Sequence, residues 1–330
     1  MNRPMSFGRR AALALAAALA LAPGYSAAEN WPSKPITLVV PFSAGGPTDV
    51  VARALGAAMT RNLKQTVIIE NKTGAGGTLA AAYVARANPD GYTFLIHHNG
   101  MATAPALYRK LTYKPLEDFE YVSQVIDVPM TLVGRKDLPA KDFAELRAWI
   151  KANGDKVNLA HAGLGAVSHL CGMLLRQALG AELTSVPYQG TGPAMTALLG
   201  GQVDLLCDQT TSTTQYIKAG SVKLYGVTTA QRLKTLPEAQ TLAEQGLKGF
   251  EVVVWHGIYA PKGTPKEAID KFGASLKEAL KDPTVAQRLD ELGAVVVPEA
   301  KQSPAGLKTW LAQETARYAP VIKAAGQFAD

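Results

Sequence analysis

Charge, cysteine and histidine are all scarce in this chain, and apolar runs long enough to cross a bilayer are absent. Only 18% of the 330 residues are charged, with a net excess of +7. Three of those positive charges, Arg3, Arg9 and Arg10, sit at the amino end, which leaves a mild positive balance spread along the rest. No basic block is interleaved with aromatics, so a nucleic acid partner is excluded. A weakly positive surface suits the gathering of small anions. The two cysteines, Cys171 and Cys207, fall in no metal-ligand or C-x-x-C spacing. Cys171 lies in a helical pattern and Cys207 ends an apolar strand. A bridge and two buried thiols fit that placement equally, since spacing does not give the distance between them.

Five histidines are too few and too scattered for a metal centre by spacing. His97 and His98 are adjacent, and neighbours on a strand face opposite sides. No G-x-S-x-G, H-E-x-x-H or G-x-x-x-x-G-K-[ST] occurs. Ser168 and His169 are also adjacent, and on a helix they point in different directions, so they do not form a nucleophile–base pair. The expectation is a chain with no catalytic residue, no metal and no cofactor.

At the amino end, Ala11 to Ala22 is an apolar Ala/Leu run behind the three arginines. Pro23 and Gly24 break it, and Ser26-Ala27-Ala28 offers small residues for cleavage before Glu29. That is the layout of a secretory leader spanning residues 1–28. The run is shorter than the roughly 20 residues a spanning helix needs. The mature protein is therefore expected outside the cytoplasm, in the periplasm.

The rest alternates short β-branched runs with helical patterns. Strands are expected at 36–40, 67–70 and 92–96, with helices at 47–61 and 79–87 between them. Asn88-Pro89-Asp90-Gly91 marks a turn. The pattern restarts with strands at 130–133, 157–160, 183–186, 203–207 and 222–227. Helices are expected at 143–152, 167–179, 193–199 and 213–219. A strand at 250–259 and helices at 265–280, 283–292 and 304–325 follow. Such alternation predicts an α/β protein with mostly parallel sheets flanked by helices, arranged in two lobes. The expected division is 29–127 for the first lobe, 128–228 for the second, and 229–330 returning to the first with the carboxyl-terminal helices.

Two loops share one design: strand, glycines, then helix start. In Pro41-Phe42-Ser43-Ala44-Gly45-Gly46-Pro47-Thr48-Asp49 the glycines let an anion approach backbone amides directly. The helix start adds partial positive charge. Ser43 and Thr48 offer hydroxyls, whereas Asp49 suits capping of the loop's own amides. In the second half, Gly163, Gly165, Ala166, Val167, Ser168 and His169 repeat the design. Tyr188 and Gly190 follow one strand, Asp208 another, and His98 with Asn99 a third. Strand carboxyl ends are where open α/β sheets bind ligands. The Gly74-Ala75-Gly76-Gly77 turn reads equally as a connector or a binding loop.

In this order the strings resemble the Bug-type extracytoplasmic receptors of tripartite tricarboxylate transporters. They run from Trp31-Pro32-Ser33-Lys34-Pro35-Ile36 through Pro41-Phe42, Gly45-Gly46 and Asp49, then Glu70-Asn71-Lys72 and Pro89-Asp90-Gly91-Tyr92-Thr93. They continue with Gly163-Leu164-Gly165, Val186-Pro187-Tyr188-Gln189-Gly190, Gly201-Gln202-Val203-Asp204 and Ala260-Pro261-Lys262-Gly263-Thr264-Pro265. The resemblance implies a type II periplasmic-binding fold with a cleft between the lobes. It implies capture of a small carboxylate by hinge closure and delivery to a two-subunit membrane permease, by a monomeric receptor. It further implies that the 42–49 loop holds a carboxylate while the 163–169 loop and the 188–190 turn close over it. An exported hydrolase with a dispersed site and a sensory module for a membrane kinase are the competing readings of the residues.

Overall fold

The computed structural model describes residues 31–326 and 328. The expected leader lies outside the described residues. From Ile36 onward the alternation holds. β1 (Ile36–Val40), β2 (Val67–Asn71) and β3 (Thr93–His98) alternate with α1 (Pro47–Leu63) and α2 (Thr78–Ala85). A helix that sequence periodicity did not predict, α3 (Gly100–Leu107), follows β3. It is short and built of small residues around Pro105, so it has no polar–apolar period to read.

The chain then enters β4 (Phe119–Arg135), a strand of 17 residues. Beyond it come α4 (Phe143–Asn153), β5 (Asn158–His161), α5 (Val167–Leu179) and β6 (Thr184–Pro187). Next are α6 (Thr191–Leu199), β7 (Leu205–Gln209), α7 (Thr210–Lys218) and β8 (Val222–Val227). β9 (Val253–Pro261), α8 (Lys266–Lys281), α9 (Pro283–Glu291), β10 (Val295–Val296) and α10 (Pro304–Ala325) complete the described chain.

The strands form one continuous mixed sheet in the order β2-β1-β3-β9-β4-β7-β5-β6, with β8 and β10 also paired to β4. The outer pairs, β1 with β2 and β3, and β5 with β6 and β7, are parallel, as βαβ crossovers require. β4 and β9 run antiparallel to their neighbours and join the two parallel halves. β4 does so without a break: Phe119 to Pro129 pairs with β9, and Met130 to Arg135 pairs with β7 and β8. At about 3.3 Å per residue such a strand is roughly 55 Å long, enough to serve both lobes. Beside it, Thr228 returns the chain: its amide donates to Met130 O at 2.9 Å, and its hydroxyl donates to Val252 O at 2.6 Å.

Helices pack on these sheets through the apolar faces their sequences present. On α1, Val51, Leu55, Ala58 and Met59 are buried. In the first lobe Phe94 stacks on Phe272 at 3.8 Å, fixing α8 against β3. In the second lobe a disulfide joins Cys171 of α5 to Cys207 of β7, with Cα atoms 6.2 Å apart. It closes a loop with a sequence separation of 36 residues. The chain-entropy relation puts that constraint at about 4 kcal/mol. The double variant Cys171→Ser/Cys207→Ser is expected to lower the unfolding free energy by about 2–4 kcal/mol in a urea titration. Among the described residues no helix is long and apolar enough to cross a membrane.

Candidate functional site

Between the halves lies a narrow cavity of about 10 Å³, room for about one water molecule. Its wall carries Phe42, Pro47, Thr48 and His98 from the first lobe. Met130, Ala162, Ala166, Val167, Ser168, Thr191, Asp208 and Gln209 come from β4 and the second lobe. Four helices, α1, α5, α6 and α7, start at this wall, and none has a side-chain cap. Their first-turn amides have no carbonyl one turn back within the helix. α4, α9 and α10 are capped by Asp142, Asp282 and Ser303, whereas α2, α3 and α8 lack a side-chain cap like the four at the wall. Four uncapped starts make the cavity electropositive without a single Lys or Arg in its wall.

The loop before α1 is braced from inside. Asp49 accepts from the Gly45 amide at 2.9 Å, from Arg53 Nε at 2.8 Å and from Asn71 Nδ2 at 2.9 Å. Burial opposes ionisation of this carboxyl most strongly, yet these three donors hold it below its ordinary range. The Gly46 amide donates to Ser43 O at 3.3 Å. The two glycine amides therefore serve the loop itself rather than facing the cavity, and Ala44 and Gly45 are exposed. The donors left at this edge are the α1 first-turn amides at Thr48 and Asp49.

The second-half loop repeats that arrangement with imidazoles. The Gly163 amide donates to His161 Nδ1 at 3.1 Å, and the Gly165 amide to His169 Nδ1 at 3.3 Å. Ser168 Oγ accepts from the Ala162 amide at 2.9 Å. Here too the glycine amides are engaged, and the α5 start at Val167 and Ser168 faces the cavity. Asn99 is spent on architecture: it donates to Val253 O at 3.0 Å and Tyr318 Oη at 3.2 Å, and accepts from the Trp255 amide at 3.0 Å. Tyr188 is part-buried outside the wall, its amide bonded to His161 O.

The two lobes touch. A Cβ placed on Gly190 would lie 2.4 Å from Ser43 Oγ, and one on Gly76 would lie 1.8 Å from Leu164 O. Thr103 Oγ1 donates to Gly165 O at 2.9 Å. Tyr108 Oη lies 2.7 Å from both Ala75 O and Leu164 O, bridging the two lobes through one hydroxyl. The conformation is closed, and the Gly74–Gly77 turn is part of the closing face.

His98 stacks on Phe42 with ring centroids 4.7 Å apart. Its Nδ1 accepts the Gly100 amide at 3.0 Å, so the proton of the neutral ring sits on Nε2. Burial, then the His97 and His256 imidazoles, push its pKa well down. Burial lowers His97 to about 4 and, with His97 as a second cause, His256 to about 3. His256 Nε2 lies 3.2 Å from Thr48 Oγ1. Among the described residues no group of His, Cys, Asp and Glu is arranged to hold a metal.

Of the residues singled out from sequence, Phe42, Thr48, His98, Ala166, Val167, Ser168 and Asp208 meet at the wall. Ser43, Gly46 and Gly190 meet at the contact beside it. Pro47, Met130, Ala162, Thr191 and Gln209 complete the wall. Thr191 opens the helix after β6 and its turn, and Gln209 is the last residue of β7, beside Asp208. Met130 had no signal, because its place depends on the crossing of β4.

Two α/β lobes closed over a gap ringed by helix starts define a solute-binding protein of the periplasmic-binding fold. The chain belongs to the tripartite tricarboxylate transporter family of receptors, whose sequence profile (TctC) matches residues 51–327. Its fold is similar to that of the periplasmic binding protein BugD, with 50% identity and a TM-score of 0.89 over 91% of this chain and 100% of that one. MatC of Rhodopseudomonas palustris, solved with bound malate, is 42% identical with a TM-score of 0.85, over 88% of this chain and 100% of its own. Another R. palustris protein, solved with adipate, is 34% identical with a TM-score of 0.85, over 90% and 99% of the two chains. The family and these neighbours are solute-binding proteins.

Proposed function

We propose that this receptor, once exported to the periplasm and freed of residues 1–28, captures a small carboxylate between its lobes and hands it to the permease subunits of its transporter. The observation that carries this reading is the set of four helix starts, each without a cap, around a wall lacking Lys and Arg. Such a wall substitutes amide hydrogens for the water around an anion. The protein acts as a monomer with no catalytic role. Its lobes divide at 127/128 and at 228/229, beside the points where β4 changes partner and Thr228 turns back. Closure follows from the guest's extra contacts in the closed state. The malate and adipate found in the two relatives set the expected size of guest. Nothing favours the hydrolase reading, since Ser168 Oγ and His169 Nδ1 are each engaged by a loop amide.

A thermal-shift screen of malate, adipate, citrate and benzoate tests this. A guest at a hundredfold excess over its Kd stabilises by about 2.7 kcal/mol, which for a chain of this size raises the melting temperature by about 5 °C. Shifts with sugars or metal ions and none with any acid would overturn the reading.

A further inference from the structure

One group at the wall contradicts its surroundings. Asp208 is the penultimate residue of β7 and is 1% exposed, and neither carboxyl oxygen has a partner of good hydrogen-bonding geometry. Its neighbours are donors or apolar. Thr131 from β4 bonds the Asp208 backbone carbonyl, α6 brings Thr191, and α7 brings Thr210 and Ser212. His98 is the one other titratable side chain in the same wall. Of the charged groups on the helices that start there, Asp49 and Arg53 on α1 pair with each other, and Arg176 on α5 pairs with Glu182 outside the wall. The rings of His161 and His169 contact each other at 4.7 Å. No Lys, Arg or Glu lines the cavity. A guest anion beside an ionised Asp208 would place two negative charges in one enclosed space with no cation to offset them.

We infer that Asp208 enters the bound state as a carboxylic acid whose proton is donated to, and shared with, a carboxylate oxygen of the guest. This rests on the carboxylate reading above. Two close carboxyl groups in a dry site hold one proton between them rather than ionise together. The proton comes from solvent, so capture above neutrality takes up one proton per guest and release on opening returns it. Burial already pushes Asp208 up to about 7, against the Gln209 amide and the Ser212 and Thr191 hydroxyls, which pull it down. An ammonium-bearing guest paired with an ionised Asp208 is the other way to satisfy these oxygens. Four positive helix ends around the same gap disfavour it.

The test is titration calorimetry of the mature protein with malate and adipate at pH 8, in buffers of different ionisation enthalpy. Both acids are fully ionised there, so any proton uptake belongs to the protein. The expected result is uptake of about one proton per guest and affinity falling about tenfold per pH unit above the acid's own pKa. Asp208→Asn keeps the size and an N–H donor, so it should bind with no proton uptake and with an affinity flat in pH. Binding without proton uptake in the wild type, or loss of binding by a hundredfold or more in Asp208→Asn, would overturn proton sharing alone. Failure of both acids to bind at pH 6 and at pH 8 would count against the carboxylate reading, and this inference with it.

Discussion

Lowering the pH from 7 to 4.5 is expected to reduce the melting temperature by roughly 5–10 °C. His97, His161 and His256 are buried as neutral rings, with pKa values pushed down to about 4, about 4 and about 3. Burial is the largest cause in each case. Unfolded, each ring titrates near 6.5. Below that value the unfolded chain binds protons that the folded one refuses, so stability present at neutral pH is lost as pH falls. At pH 4.5 each ring costs about 2 kcal/mol, and the three together roughly 6 kcal/mol. Asp208 works the other way. Its folded value lies above its unfolded one, so its contribution is present in acid and lost as pH rises through about 7. Between pH 7 and pH 4.5 it returns about 3 kcal/mol. The net loss from these four groups is about 3–4 kcal/mol, a large part of a typical domain's stability, and His98, also held neutral by burial, adds to it in the same direction. Differential scanning calorimetry across pH 4–8 reads it, and NMR titration of the imidazoles assigns it. A flat melting temperature, or rings that protonate near 6.5, would show that the histidines are not held neutral.

The second large effect comes from one missing methyl group. Gly76 has φ of +61°, and a Cβ there would sit 1.8 Å from the Leu164 carbonyl oxygen across the lobe contact. That obstacle is backbone, so it cannot swing aside. Gly76→Ala is expected to hold the lobes apart and weaken guest binding by at least a hundredfold, because a few kcal/mol against closure shifts the closed population by that factor. The open state carries only the cost of an alanine in left-handed backbone, about 1 kcal/mol. The unliganded melting temperature should therefore move by no more than a few degrees. Tyr108→Phe removes the hydroxyl between Ala75 and Leu164 and should weaken binding by about tenfold. Calorimetry gives the affinities, and small-angle scattering gives the loss of compaction on adding guest. Wild-type affinity in Gly76→Ala would mean that this contact is not part of closure.

Most of the fold was legible because its signals are local. α5, β8 and α10 fall on the residues their patterns predict, and α5 and α10 end at Gly180 and Gly326 in left-handed backbone. The first ten residues of β4 were not legible as strand. Phe119 to Val128 mixes polar and apolar residues without strict alternation, since its neighbours change from one end to the other. The mostly parallel expectation holds for the outer strands and stops at β4 and β9, whose antiparallel pairing depends on contacts far apart in sequence.

The site shows the same boundary. Strand–glycine–helix strings located the loops, because a helix start beside a strand end is a local feature. What each amide does was not local. The Gly45 amide goes to Asp49, and the Gly163 amide to His161, so the glycines shape the loops while the helix starts face the cavity. Cys171 and Cys207 could not be paired from spacing, and the fold brings them together. Asp208 stood out only as a residue after a strand. Its enclosure, with only the Gln209 amide and the Thr191 and Ser212 hydroxyls near its oxygens, follows from contacts far apart in sequence.

The uninterrupted course of β4 carries a consequence for how the molecule can be cut. Each half borrows this one ribbon as its own centre, so severing the chain beside Pro129 would leave two pieces, each with a raw edge and neither with a finished sheet. Separate expression of the halves should yield sticky, poorly folded material. Within the intact molecule the same ribbon can flex like a leaf spring, letting the halves part while its ladder of bonds stays whole.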